Sequence, residues 1–338
     1  MDRNVMRLSA FFVLLGLGYE VHAAQEAITK IRISQSSVTS TATPFWIAQE
    51  QGMFKKYKLE VEAIYVRNST IQMAGLSTGS FQLSSTGGTP SLSAAAGGLS
   101  LKILASMGRR LPYDIAVRPD IKAPEDLRGK NLGVTNIGGT TWMAAILALE
   151  HLRLDPARDD IKLQALGNQT VLVQALERGR IEVILIDHFF NRQLKEKGFS
   201  ILLEGPLANI PFASNGLVAS RGYLEQHPNI VESALKALLE AQAFIANPGN
   251  KPVVLKTIRE HLKVADPSVA EWGYQYLIEM LERKPYPALE GVRNIQRLMR
   301  HNPQVAKIRA EDVVDDRIMR KLDESGFIDS LYSSTDAK

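Results

Sequence analysis

Residues 76–83 read LSTGSFQL, and one hundred positions later residues 176–183 read LERGRIEV. In both, a helical stretch stops at a glycine, Gly79 or Gly179, that can take the left-handed C-cap conformation, and a strand follows at once. The register holds outward. GLSLKIL from Gly98 parallels GFSILLE from Gly198, and TPFWIA (43–48) parallels TTWMA (140–144), with Trp46 and Trp142 at equivalent places. Any α/β protein repeats helix, glycine and strand, but four landmarks in the same order favour a fold built twice. Between them, short strands such as ITKIRISQ (28–35), LEVEAIYV (59–66) and LKILASM (101–107) alternate with helical stretches. That alternation argues for parallel sheets made of βαβ units. With 338 residues, 45% of them apolar, the chain can bury two cores. The expected class is therefore α/β, with two lobes and a cleft between them.

In open parallel sheets, ligands bind at the carboxyl ends of strands, in loops that lead into helices. The duplication names four such loops: SSVTSTATP (36–44), STGGTP (85–90), TNIGGTT (135–141) and IDHFF (186–190). Three are rich in Ser, Thr and Gly. A helix N-terminus offers unpaired N–H groups and a partial positive charge, glycine permits close approach, and hydroxyls add donors. The candidates are thus Ser37, Thr41, Thr43 and Pro44 in the first loop and Thr86, Gly87, Gly88 and Thr89 in the second. The third offers Gly138, Gly139, Thr140 and Thr141, which read together as an anion cradle. The competing reading is ordinary helix capping by Thr and Ser. Asp187 and His188 end the buried-looking strand IEVILI and either face the cleft or serve as a cap and a surface histidine. Arg109 follows a strand and suits bidentate capture of a carboxylate or sulfonate, or else is solvated. Phe45 and Trp142 either stack on a ligand or join the core.

Residues 1–23 have a basic start (Arg3, Arg7), the apolar run LSAFFVLLGLG and small residues at the end, the layout of a secretory signal with cleavage expected after Ala23. The apolar run is too short to span a membrane. The formal net charge of +4 is mild and dispersed, so nucleic acid is not an expected partner. Without cysteine there is no disulfide scaffold, cysteine nucleophile or lipid-modified N-terminal cysteine. The histidines lack metal-binding spacing, and no GxSxG elbow, phosphate-binding P-loop or SxxK element is present, so neither a metal nor an enzyme is expected.

PFWIAQEQGMFKKYKLEVE, GGTPSLSAAAGGLSLKILASM, IKAPEDLRGKNLGV with GGTTWMAAI, and GLVASRGYLEQHPNIVESALKALLEA resemble, in order, the nitrate/sulfonate/taurine class of ABC-transporter substrate-binding proteins, which shares its fold with thiamin-pyrimidine synthases. The likeness covers about residues 30–250. It implies a type II periplasmic-binding fold with two crossover strands, near Tyr113–Arg118 and Asn215–Ser220. Lobe one would hold residues 28–115 and 219–332, with a helical C-terminal part, and lobe two residues 116–218. The family's ligand contacts map to the loop before Pro44, Gly87–Thr89, Gly139–Thr141 and the vicinity of Asp187, and Asn215, at the return crossover, is a further candidate. Gln82 replaces an acidic residue common in the family, and DHFF replaces a proline-containing segment. The expectation is a monomeric periplasmic receptor without cofactor that binds a small organic anion and delivers it to an inner-membrane ABC permease. A neutral heterocycle such as a pyrimidine precursor is the alternative ligand, and a ligand-sensing module for a membrane partner the alternative role. An enzyme of the pyrimidine-synthase type is disfavoured by the missing cysteine.

Overall fold

The computed structural model describes residues 28–35, 38–66, 68–110, 113–204, 211–300 and 302–333. The expected signal segment, residues 1–23, and Ser37 lie outside them. Ten strands are described: β1 (Thr29–Gln35), β2 (Leu59–Tyr65), β3 (Leu83–Thr86), β4 (Leu101–Gly108), β5 (Tyr113–Val117), β6 (Asn131–Val134), β7 (Lys162–Ala165), β8 (Val183–Asp187), β9 (Ser200–Leu203) and β10 (Asn215–Ser220). They form two sheets of the same plan, β2-β1-β3-β10-β4 and β7-β6-β8-β5-β9. The repeat read at 76–83 and 176–183 runs into β3 and β8, which hold the middle of their respective sheets.

Each sheet is parallel except for one inserted strand. β10 runs antiparallel between β3 and β4, and β5 antiparallel between β8 and β9. Tyr113 sits opposite Asp187, and Gly216 opposite Thr86. Residues 113–115 therefore pair with the second sheet and residues 215–218 with the first, whereas the division expected from the sequence assigns each to the other lobe. A strand whose N–H and C=O groups are committed to one ladder counts with the sheet it pairs in.

Beyond β10 the chain is helical. Pro228 opens the helix Pro228–Ala246, as a first-turn proline does. Its apolar face, including Leu235, Leu238 and Leu239, packs in one core with Ile31, Ile33, Leu83 and Leu217 of the first sheet. Each such fully buried side chain contributes about 1.5–3 kcal/mol. A second core joins the lobes. Leu92 and Ile103 from the first lobe, Leu132 and Met143 from the second, and Val292 and Ile295 from the helix Leu289–Leu298 belong to one continuous cluster. The same helix packs on Thr140–His151 of the second lobe, so the two lobes are closed on each other.

Candidate ligand-binding cleft

Between the sheets lies a cavity of about 80 Å³. From the first lobe it is lined by Thr41, Pro44, Thr86, Gly87, Met107 and Asn215, and from the second by Tyr113, Thr140 and Asp187. Gln242 of the helix Pro228–Ala246 and Leu277, Met280 and Leu281 of the C-terminal part also contribute to the wall. β3 ends at Thr86 and turns through Gly87 into the helix Gly88–Ala96. A Cβ on Gly87 would stand 2.5 Å from Thr140 Oγ1 and 2.6 Å from Ser214 O, so glycine is what lets the two lobes meet there.

Asp187 is 3% exposed, and its Oδ1 accepts a hydrogen bond from Phe189 N–H at 3.0 Å. Burial pushes its carboxyl up to about 7, against the opposing influence of that N–H and of His188. Burial also raises the Tyr113 phenol well above its usual range, with the nearby Asp187 adding to it. Two lining residues, Thr86 and Gln242, each carry a buried oxygen, Oγ1 and Oε1, without a hydrogen-bond partner among the described residues. Asp187 and Tyr113 are the ionisable side chains among the described lining residues, and no Lys or Arg is among them.

A second, polar chamber of about 80 Å³ adjoins the first across Tyr113 and Thr140. Asn68, Ser69, Thr135, Asn136, Thr141 and Asn168 line it, with Gln169 and Thr170 beside them and Val38 and Tyr65 also on its wall. Asn68 and Asn168 are repeat partners. Each caps its own helix, accepting from Ile71 N–H at 3.1 Å and Val171 N–H at 3.0 Å. Asn136 Nδ2 donates across the lobes to Thr70 Oγ1 at 3.1 Å.

Of the residues singled out in the sequence, Thr41, Pro44, Thr86, Gly87, Thr140, Asp187 and Asn215 line the first chamber, and Thr141 the second. Thr141 Oγ1 is occupied in its own loop, accepting from Thr135 N–H at 2.9 Å. Gly139 is the N-cap of the helix Thr140–His151 and supplies no side-chain cap. Gly138 and Trp142 border an outer groove instead, Trp142 packing against the shared core. Thr43, Phe45, Gly88 and Thr89 are buried beneath the loops. Thr43 donates to Ser40 O at 2.6 Å, and Phe45 joins the first-lobe core. Arg109 is exposed and lines neither chamber, in keeping with the high cost of burying an unpaired guanidinium.

His188 lines neither chamber. Its Nδ1 lies 2.6 Å from Asp114 Oδ2, and its ring packs against Trp272 and Tyr276 at 5.1 and 5.4 Å. Sequence reasoning missed Gln242, Tyr113 and the Asn68/Asn168 pair. The pair had a signal, since NST (68–70) and NQT (168–170) obey the same hundred-residue shift. Gln242 had a weaker one, a lone amide within LLEAQAFIA. Leu277, Met280 and Leu281 had none, because tertiary packing alone brings them to the cleft.

The family model described as NMT1/THI5 like matches residues 39–251, more than half of the chain. The chain belongs to the NMT1/THI5-like family. Its relatives include the riboflavin-binding protein RibY of Chloroflexus aurantiacus, 25% identical over 67% of this chain and 65% of that protein's length. The chain thus spans slightly less than two thirds of that relative. Among solved structures, the alkanesulfonate-binding protein SsuA from Xanthomonas axonopodis pv. citri bound to MOPS superposes with a TM-score of 0.71, at 16% identity, over 86% of this chain and 99% of that one. The periplasmic nitrate-binding protein NrtA from Synechocystis PCC 6803 gives 0.70 at 16% identity, over 89% of each chain. The fold of this NMT1/THI5-like chain is that of ABC-type periplasmic binding proteins, which bears out the resemblance read from the sequence.

Proposed function

We propose that this protein is an exported, monomeric solute receptor that closes on a small uncharged heterocycle and hands it to an inner-membrane ABC permease. The observation that carries the reading is the lining of the first chamber: a buried carboxyl, amides and hydroxyls on an apolar wall of Met107, Leu277, Met280 and Leu281. The relatives named for riboflavin, alkanesulfonate and nitrate include neutral and anionic ligands, so the choice rests on electrostatics. An anion about 4 Å from Asp187 costs roughly 1 kcal/mol in water and about 4 at an effective dielectric of 20 only where that carboxyl is ionised, above its titration near 7. The start of the helix Thr140–His151 returns about 0.3–1 kcal/mol, up to roughly 2 when partly buried. No Lys or Arg among the described lining residues offsets the desolvation of an anion, so the neutral ligand is favoured over the organic anion that the loops alone suggested.

One observation favours an anion in the second chamber instead. The first turns of Ser69–Ser77, Thr140–His151 and Gln169–Glu177 contribute lining residues there, and none of the described lining residues is charged. A thermal-shift screen of the purified protein decides between the readings. Flavins, pyrimidines and other neutral heterocycles are run against nitrate, sulfonates and carboxylates. Ligand at one hundred times its dissociation constant stabilises by about 2.7 kcal/mol. Stabilisation by anions alone would refute the neutral-ligand reading.

A further inference from the structure

Away from both chambers, the turn His188–Phe190 of the second lobe seats itself on the helix Pro267–Met280. That helix belongs to the other half, since its Ala270, Tyr274 and Leu277 pack in the first-lobe core. The seat is close. A Cβ on Gly273 would stand 3.1 Å from the Phe189 ring and 3.3 Å from Ser40 Cβ, so Phe189 reaches a place where two first-lobe segments meet. Beside it the His188 imidazole faces the rings of Trp272 and Tyr276, with centroids 5.1 and 5.4 Å away. Its Nδ1 lies 2.6 Å from Asp114 Oδ2, an oxygen to which Asn191 Nδ2 also donates, at 2.5 Å. Asp114 is 1% exposed.

We propose that this seat is a proton-coupled latch between the lobes: His188 carries its proton while they are closed, and losing that proton opens them, whatever the cleft contains. Covering an imidazole with two rings would by itself expel the proton, because burial disfavours the charged form. The carboxylate reverses the sign. Deprotonation takes one charge out of a buried pair, which is strongly destabilising, and aromatic faces within about 6 Å attract a cation further. Asp187 of β8 and Glu204 after β9 add negative charge in the same direction, and the net result is a basicity above the usual imidazole value. The nearby cations are engaged with acids, Arg192 with Glu196 and Lys195 with Glu204. On the first-lobe helix, Glu271 is held by Lys251 and Glu279 is exposed. When the lobes part, water reaches the pair and weakens it, so the closed form holds the proton more tightly. Closure is then favoured in full below the open-state titration and is lost as pH climbs through the closed-state one. Trp272 Nε1, Tyr276 Oη and Asn191 Oδ1 are buried without a partner among the described residues, which works against closure and lets one proton tip the balance.

The test uses the full chain without ligand. Histidine-selective 15N NMR follows the His188 imidazole, assigned by its absence in His188→Gln. Small-angle scattering follows the radius between pH 5 and pH 9, with circular dichroism confirming that the fold persists. The parent is expected to expand as pH rises, with its midpoint at the His188 titration, and His188→Gln to keep less than half of that expansion. Linkage is reciprocal, so forcing the lobes apart must loosen the proton. Gly273→Leu is the wedge. It should expand the protein at pH 5 and lower the His188 titration by at least about half a unit, a roughly threefold weaker hold on the proton. A histidine that merely packs in the seat would not make the radius follow its titration. A parent radius indifferent to pH overturns the inference, as does a compact Gly273→Leu protein or an expanded one whose His188 titrates as in the parent. Undiminished expansion in His188→Gln would assign the effect to Asp187 and overturn it too.

Discussion

Asp187 shows how one residue couples the cleft to pH. Its carboxyl titrates near 7 in the folded protein, chiefly through burial, against a usual 3.8. The folded state thus binds this proton more tightly than the unfolded chain does, and stability falls as pH rises from about 4 to about 7, by at most about 1.4 kcal/mol per unit. His188 acts in the same direction. Burial alone would lower its basicity, but the hydrogen bond and charge of Asp114 raise it overall. Its contribution is complete below the usual imidazole value of 6.5 and is lost as pH climbs through its folded value. The ligand-free protein should therefore unfold at lower urea at pH 8 than at pH 5, and Asp187→Asn should flatten that dependence. Urea midpoints at each pH unit provide the check; parallel curves for parent and variant would mean that Asp187 is not the titrating group. The position of Asp187 at a strand's end was legible in IEVILID. Its desolvation was not, since that depends on Tyr113 crossing over to pair beside it.

At the level of elements, the repeat was legible because helix caps and glycine stops are local: the same Asn-x-Thr start and Gly stop recur one hundred residues apart. Ligand contacts were legible only where a strand end and a helix start share a short loop, as at Thr86–Gly87 and Thr140. Candidates one residue further on, such as Gly88 and Thr89, fall on the buried side of the first turn. The Gly87–Thr140 approach tests this geometry. Gly87→Ala places a methyl 2.5 Å from Thr140 Oγ1 and 2.6 Å from a backbone oxygen. Overpacking of this kind costs about 1–3 kcal/mol. Charged against the closed form, that weakens ligand binding roughly five- to 150-fold, since about 1.4 kcal/mol is a factor of ten. Gly222→Ala, whose Cβ meets nothing within 4 Å, is the control and should bind normally. Equal titration curves for the two variants would show that the lobes do not need this contact to close.

For the molecule as a whole, two lobes and a cleft follow from the duplication, but the way the lobes are held together does not. Besides the Asn136–Thr70 hydrogen bond, an ion pair and an apolar contact span them. Arg297 and Glu150 pair at 3.2 Å across the surface, with side chains 49% and 54% exposed. Beneath them Ile295, fully buried, belongs to the core cluster that both lobes share. Neither was readable beforehand, because the helix Leu289–Leu298 reaches the second lobe only after the C-terminal helices have folded back on the first. Magnitudes rank the two. An exposed ion pair contributes about 0–1 kcal/mol and is screened by salt, whereas truncating a buried isoleucine to alanine costs about 2–5. Arg297→Ala should then unfold within about 1 kcal/mol of the parent, and Ile295→Ala well below it. Small-angle scattering adds the part that stability alone does not reach. If the apolar contact holds the lobes closed, Ile295→Ala expands the ligand-free protein and ligand recompacts it, while Arg297→Ala leaves the radius unchanged at any salt concentration. An expansion in Arg297→Ala that salt reproduces in the parent would assign closure to the ion pair. The shared core would then be a consequence of closure and not its cause.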